Sequence, residues 1–398
     1  MKILVFTTLF PNNVWPNHGV FVKERMSAVA GLGGCEVKVI APVPYHPPMR
    51  VGKRWRHSQV AREEVIDGIQ VYHPRYFMIP KLSMPFHGLM MFLAVLYFVK
   101  KLKARFDFDI IDAHYVYPDA FAAVLLGRIV RKPVVVTARG SDINVFAELP
   151  LIRWLIRYTL ARVDGVIAVS EALKTRIVGL GIPEKKVAVV PNGVDPTKFY
   201  PINKTVARED LGLPNDRKLL LSVGSLESVK GFDQLIEAMR ILVNEFQATD
   251  VLLLIVGDGA LRQELLRMIS ACSLDAHVRL IGAVPHEQLR LWYSAADLFC
   301  LASRSEGWPN VVVESLACGT PVVATAVGGI PEIIRSEFLG CLVNSGDRQI
   351  AEIVRDALGR TWRSHEIVSY MEQRTWERTA RSVIRNLEFA VNGLARGQ

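Results

Sequence analysis

Two carboxylates, Glu306 and Glu314, stand eight residues apart in the stretch SRSEGWPNVVVESLACGTPVVATAVGGIPE, Ser303 to Glu332, with Pro309-Asn310 between them. A buried structural segment has little use for ionised groups at that spacing. The apolar run Leu298 to Leu301 reads as a strand that ends in a polar turn, Ser303 to Asn310. A helix should start near Pro309 or Asn310, where a missing N–H costs little and an Asn can cap. Glu306 then lies in the loop at the carboxyl end of the strand and Glu314 about one turn inside the helix. The amides of Asn310, Val311 and Val312 would form a helix N-terminus that favours phosphate, while carboxylates accept hydrogen bonds from paired hydroxyls. A diphosphate flanked by two polyols, the constitution of a sugar nucleotide, matches that layout. The same residues also suit a capped helix with acids placed for its dipole, and these residues alone leave both readings open.

Other candidates recur at strand ends. In VGSLESVKGFDQL, the strand Leu219 to Val223 runs into Gly224, and Lys230-Gly231 follows at a helix start, where a lysine can reach phosphate as a point charge or simply sit on the surface. The GDG at Gly257 to Gly259 also follows a strand, but a lone G-x-G is accounted for by its turn. In LFPNNVWPNHGVFVKERM, Gly19 precedes a helix and either admits a ligand to the backbone or merely permits the turn. His114 ends a buried strand, and TARGSD, Thr137 to Asp142, follows another.

The elements that must position these residues are strands and helices in alternation. Lys2 to Thr7, Glu36 to Ala41, Asp109 to His114, Val134 to Thr137, Gly165 to Ser170 and Val187 to Val190 read as strands, with helices over Val20 to Leu32, Pro118 to Val130 and Glu171 to Leu180. The polar stretch after Pro191-Asn192-Gly193 marks a boundary, and the alternation restarts at Leu219. This predicts an α/β protein of two doubly wound, Rossmann-like domains, 1–198 and 199–375, facing across a cleft where ligands collect beyond the strand ends. Residues 376–398 read as a helix returning to the first domain.

Bulk properties narrow the class. At 398 residues the chain exceeds one usual core, and with 50% hydrophobic and 22% charged residues it is far from disorder. The net charge of +9 is asymmetric: residues 1–198 hold 27 Lys and Arg against 15 Asp and Glu, the remainder 21 against 24. A basic first half suits a phosphorylated substrate, an anionic membrane or plain solubility. Nucleic acid ranks low, because no binding module is recognisable. The five cysteines contain no C-x-x-C pair, so neither a disulfide framework nor a zinc site is indicated, and a cytoplasmic location is expected. MKILVFTTLF reads as a first strand rather than a leader. FHGLMMFLAVLYFV, Phe86 to Val99, is too short at 14 residues to span a bilayer and is followed by KKLKAR; LIRWLIRYTLAR, Leu151 to Arg162, has the same apolar and basic mixture. Both fit interfacial contact with anionic lipid, and both also fit core helices with basic ends.

Taken together, NHGVFV, VSEALK, VAVVPNGVD, VGSLESVKG, LLIVGDG, LIGAVPHEQLRLWYSAADLFCLAS and above all SEGWPNVVVESLACGTPVVATAVGGIPE resemble the GT4 family of retaining glycosyltransferases, with its two-domain GT-B architecture. The last run looks like the family's E-x7-E motif. The resemblance implies that Glu314 holds the ribose hydroxyls and Glu306 a hydroxyl of the donor sugar. Lys230 would neutralise the leaving diphosphate, helped by the amides of Asn310 and Val311 and by Gly19, and Val284 would meet the nucleobase through its backbone. Ser225 occupies a donor-site position where many relatives carry Arg, and Arg139 one where many carry His. Arg139 is therefore a candidate to compensate for the cation missing at Ser225.

The chemistry so implied is transfer from a nucleotide sugar, UDP being the commonest carrier in the family, with retention through attack from the leaving-group face. Electrostatic stabilisation of the diphosphate is the expected main catalytic contribution, with no metal and no cofactor. No residue stands out as general base; His114 and Asp142 are candidates, with His18 behind them. The basic first half suggests a lipid-linked glycan acceptor in surface polysaccharide assembly, on the inner face of the cytoplasmic membrane, ahead of a phosphatidylinositol-type lipid or a soluble sugar. A catalytically weak sugar-nucleotide-binding subunit is the competing reading.

Overall fold

The computed structural model describes residues 1–47, 53–78, 84–344 and 346–396. The chain forms two compact units, Met1–Asn192 with Trp376–Gln398, and Gly193–Thr375, so the division falls inside Pro191-Asn192-Gly193 itself and not at 198.

The first unit is built on an eight-stranded sheet ordered Val187–Val189, Gly165–Ala168, Val134–Ala138, Ile110–His114, Lys2–Phe6, Glu36–Ile40, Ile69–Tyr72, Glu63–Ile66. All neighbours are parallel except the last pair. That pair is a hairpin absent from the expected strands, turned by Asp67-Gly68, both with positive φ. Asp-Gly between two apolar runs is its local signal. The chain winds outward from Lys2–Phe6 to one side and from Ile110–His114 to the other, so these two adjacent strands flank a topological switch point. Helix Trp376–Arg396 packs on helix Val20–Gly31: Ala380, Val383, Leu387 and Ala390 share a core with Val22, Met26 and Val29.

The second unit has a six-stranded, wholly parallel sheet, ordered Val278–Gly282, Val251–Val256, Lys218–Val223, Leu298–Leu301, Val322–Thr325, Gly340–Val343. Its central strands are Val-, Leu- and Ile-rich and buried throughout, as a parallel sheet covered on both faces requires. Helix Phe232–Asn244 packs against helix Asp347–Leu358, and both contribute to the core of this unit. Lys218–Val223 and Leu298–Leu301 are neighbours from which the chain departs in opposite directions, which defines the second switch point.

Candidate active site

In the second unit, the loops that leave the two switch-point strands meet. Gly231 adopts a left-handed conformation (φ 67°), and a Cβ on it would stand 1.9 Å from the carbonyl oxygen of Ala302, immediately beyond strand Leu298–Leu301. Only glycine permits this approach. It seats Lys230 against the loop carrying Glu306, and Lys230 Nζ donates to Glu306 Oε1 at 2.8 Å. Ser303 Oγ donates to the same oxygen at 2.7 Å. A cation and a carboxylate 76 positions apart thus form one pair at the strand ends.

Helix Asn310–Ala317 follows, with Pro309 at its N-cap and no side-chain cap. Asn310 and Val311 occupy the first turn of this helix. Val312 departs from the expected trio, because its N–H donates to the Pro309 carbonyl at 3.1 Å. Glu314 is buried one turn in. Its Oε1 lies 2.9 Å from His286 Nε2, and its Oε2 accepts from Tyr293 Oη at 2.9 Å. Phe199 stacks edge-on against both rings, at 5.1 Å and 6.1 Å between centroids. Burial and the adjacent Glu314 push the Tyr293 phenol well above its ordinary range, so it stays a donor. Val284 lies half-buried in the loop after strand Val278–Gly282, two residues before His286, so the Val284 loop closes on Glu314. Ser225 is exposed in the turn after Val223, its carbonyl accepting from the Glu227 N–H. Thus Lys230, Glu306, Asn310, Val311, Glu314, Val284 and Ser225 lie on loops or first helical turns that follow the carboxyl ends of three strands.

The first-unit candidates behave differently. The Arg139 guanidinium is engaged: Nη2 binds His114 Nδ1 at 2.7 Å, Nη1 donates to Asn192 Oδ1 at 3.1 Å, and the group lies over the Phe21 ring. It is built into this unit rather than offered as a free cation in place of the arginine missing at Ser225. His114 is fully buried, with Nδ1 accepting from Arg139 and Nε2 facing Asp112 at 3.4 Å. Asp142 is also fully buried and accepts from the backbone N–H groups of Val116, Arg139 and Gly140. Both candidate bases are thus enclosed within the first unit: Asp142 anchors a loop and His114 is a core partner of Arg139. His18 is exposed, its Nε2 3.0 Å from the Thr8 carbonyl. Gly19 (φ 67°) serves the turn: a Cβ there would stand 2.3 Å from the carbonyl carbon of Leu9.

Three positions that local pattern does not single out complete the picture. His286 and Tyr293 hold Glu314, and Arg25 donates from its core position to Thr137 Oγ1, the Val190 carbonyl and Asn192 Oδ1. Only His286 carried a signal, lying two residues after Val284 in VPHEQ. The first unit also holds a pocket of about 720 Å³ at its own switch point, lined by Thr8, Asn12, His18, His87, Tyr115 and Tyr117 among others. The lining residue Thr8 is fixed by buried Asp119, which accepts from the Thr8 N–H and hydroxyl.

Two of these buried groups set opposing pH dependences. Burial lowers His114 to about 4, so below its ordinary value near 6.5 the unfolded chain takes a proton that the folded state refuses, and stability is lost as pH falls through this window. Burial raises Asp119 to about 7; its contribution is full below 3.8 and is lost as pH rises to 7. The two offset each other in the wild type. Asp119→Asn removes that opposing contribution, and unfolding free energies from urea titrations at pH 6.5 and 5 should then show an extra loss of about 2 kcal/mol on acidification relative to wild type. Parallel pH profiles for the two proteins would contradict this.

The two switch-point sheets place the protein among known folds. Sucrose-phosphate synthase from Thermosynechococcus elongatus superposes with a TM-score of 0.77 at 21% identity, over 96% of this chain and 97% of that one. Anabaena HepE, solved in complex with UDP, superposes with a TM-score of 0.73 at 19% identity, over 98% and 100%. These likenesses define the class: a GT-B fold. Family models described as "Glycosyltransferase Family 4" and "Glycosyl transferases group 1" match residues 20–198 and 203–374. TuaC of Bacillus subtilis, a glycosyltransferase named for teichuronic acid biosynthesis, is 33% identical over 84% of this chain and 83% of its own length. N-acetyl-alpha-D-glucosaminyl L-malate synthase of Bacillus anthracis is 29% identical over 67% and 74%. The chain belongs to the GT4-type, group 1 glycosyltransferases.

Proposed function

We propose that this glycosyltransferase moves a sugar from a UDP-sugar, with retention of configuration, to a lipid-carried glycan acceptor during cell-surface polysaccharide assembly on the cytoplasmic side of a membrane. The observation that carries the reading is the convergence of Lys230, Glu306 and Glu314 at the switch point of the second unit, each carboxylate already held by hydrogen-bond donors. In the donor complex Lys230 leaves Glu306 for the diphosphate, assisted by the amides of Asn310 and Val311. Glu306 then accepts from a sugar hydroxyl, Glu314 accepts from the ribose, and the Val284 backbone meets the base. As the bond between the anomeric carbon and the diphosphate oxygen breaks, negative charge collects where the cation and amides are already placed. The acceptor oxygen bonds to the same face of the anomeric carbon, and its proton passes to the departing phosphate oxygen. This route needs no protein base, which accords with the burial of His114 and Asp142. No metal is assigned a role.

Support for UDP comes from HepE, whose solved complexes contain UDP, or UDP-glucose. Support for a polysaccharide context comes from the name of TuaC. A thermal-shift panel of UDP-, GDP- and ADP-sugars tests the donor: UDP-sugars should raise the melting temperature in proportion to occupancy, by RT ln(1 + [L]/Kd). Protection by GDP- or ADP-sugars alone would replace the nucleotide. Transfer of radiolabelled sugar from the protecting donor into a bacterial lipid extract tests the acceptor, and label appearing only in water-soluble glycans would exclude the lipid.

A further inference from the structure

We infer that helix Met84–Arg105 and the segment Leu149–Arg162 form a single membrane-docking face on the first unit, presented to an anionic lipid bilayer beside the switch-point pocket. This rests on the lipid-linked acceptor proposed above. The helix runs to 22 residues and is long and apolar enough to cross a membrane by composition, exceeding the 14-residue run seen in sequence. Its inner side, however, is committed: Met91, Val95, Val99 and Leu102 are core residues, and the helix packs on helix Phe121–Val130. Spanning would strip that core, so only the outer side is free for lipid. The outer side of such a helix in water is ordinarily polar. Here it carries Phe86, Leu89, Leu93 (57% exposed) and Tyr97 (78% exposed), at spacings of three and four that make one stripe.

The second segment continues the face. Helix Pro150–Arg162 packs against the turn Met84–Phe86 and exposes Leu149, Leu151 and Trp154 (60% exposed). Charge then selects the occupant. Residues 84–105 and 149–162 contain seven Lys or Arg and no Asp or Glu. Lys100, Lys101, Arg105, Arg153, Arg157 and Arg162 are exposed around the apolar stripe. An apolar centre with a basic border complements an anionic leaflet, in which side chains enter the acyl boundary and cations pair with headgroups. An acidic protein groove is the less apt occupant, since it offers no apolar depth for an indole, a phenol and five aliphatic or phenyl side chains together.

The pocket ties this face to the reaction. Met84 and His87 line it from the first turns of the helix, Phe146 lines it from just before Leu149, and Tyr117, also lining, donates its hydroxyl to the Met84 carbonyl at 2.7 Å. A headgroup held there would leave its tail at the exposed stripe. Among the described residues no acidic side chain lines the pocket, so a phosphate or sugar headgroup meets imidazoles, phenols and an asparagine.

The test is sedimentation of the full chain with phosphatidylcholine vesicles, with and without phosphatidylglycerol. Wild type should bind the anionic vesicles and release in high salt. Leu93→Glu/Tyr97→Glu and Lys100→Glu/Lys101→Glu should each bind roughly tenfold or more weakly. All these residues are exposed on the first unit, whereas the donor-site residues belong to the second, so UDP-induced thermal shifts should be unchanged, which also verifies folding. Brominated lipid should quench wild-type tryptophan fluorescence, and Trp154→Phe should lose most of that quenching. Wild type failing to bind anionic vesicles, or both double variants binding as it does, overturns the inference. Vesicle binding without UDP protection would instead uphold this face and strike the donor reading.

Discussion

Lys230→Ala should fold, bind donor and turn over a hundredfold to a thousandfold more slowly, the range found when one preorganised donor to a developing anion is removed. In the free protein its ammonium already stands 2.8 Å from Glu306 Oε1, held there by the close approach of Gly231 to Ala302. That placement costs no reorganisation beyond exchange of one anion for another. The charge it meets grows as the glycosyl–phosphate bond breaks, so the loss should fall on kcat and kcat/KM together. The stability cost is small, because Lys230 is partly exposed and Glu306 keeps Ser303 as a donor. Initial-rate kinetics decide the matter, and a variant with unchanged kcat and a raised KM would make Lys230 a binding residue only.

Glu314→Ala should show the opposite split, with donor affinity falling roughly tenfold to a hundredfold, as expected for loss of charge-assisted hydrogen bonds to a diol, and kcat changing less. The UDP-sugar thermal shift should shrink accordingly. The variant should also be less stable by about 1–3 kcal/mol, because the buried Tyr293 hydroxyl loses its acceptor. Tyr293→Phe/Glu314→Ala removes that orphaned hydroxyl and should recover stability without recovering affinity. Equal protection of wild type and Glu314→Ala by UDP-sugars would remove Glu314 from the ribose site.

Much of the second unit was legible in the amino-acid order because its signals are local. Buried parallel strands write themselves as continuous Val, Leu and Ile runs, and the break from Leu301 into Ser303–Asn310 marks a strand end followed by a helix start. The hairpin Glu63–Ile66 with Ile69–Tyr72 is harder to read despite an equally local Asp-Gly signal, since its strands are only four residues long and the outer one is a sheet edge. Helix Met84–Arg105 is longer than its apolar run, which ends at the first lysine, because a helix continues through Lys100 and Lys101 at little backbone cost.

The order of residues determined the α/β alternation, the spacing of Glu306 and Glu314 about a helix start, and the basic character of the first half, because each follows from periodicity or composition within a short window. Tertiary structure decided the partners. Lys230 pairs with Glu306, Tyr293 and His286 share Glu314, and Arg139 binds His114 and Asn192. Burial of His114 and Asp142 was decided there too. Hydrogen-bond partners separated by tens of residues leave no trace in local pattern; which side chains meet depends on strand order, and strand order is settled only when the sheets assemble.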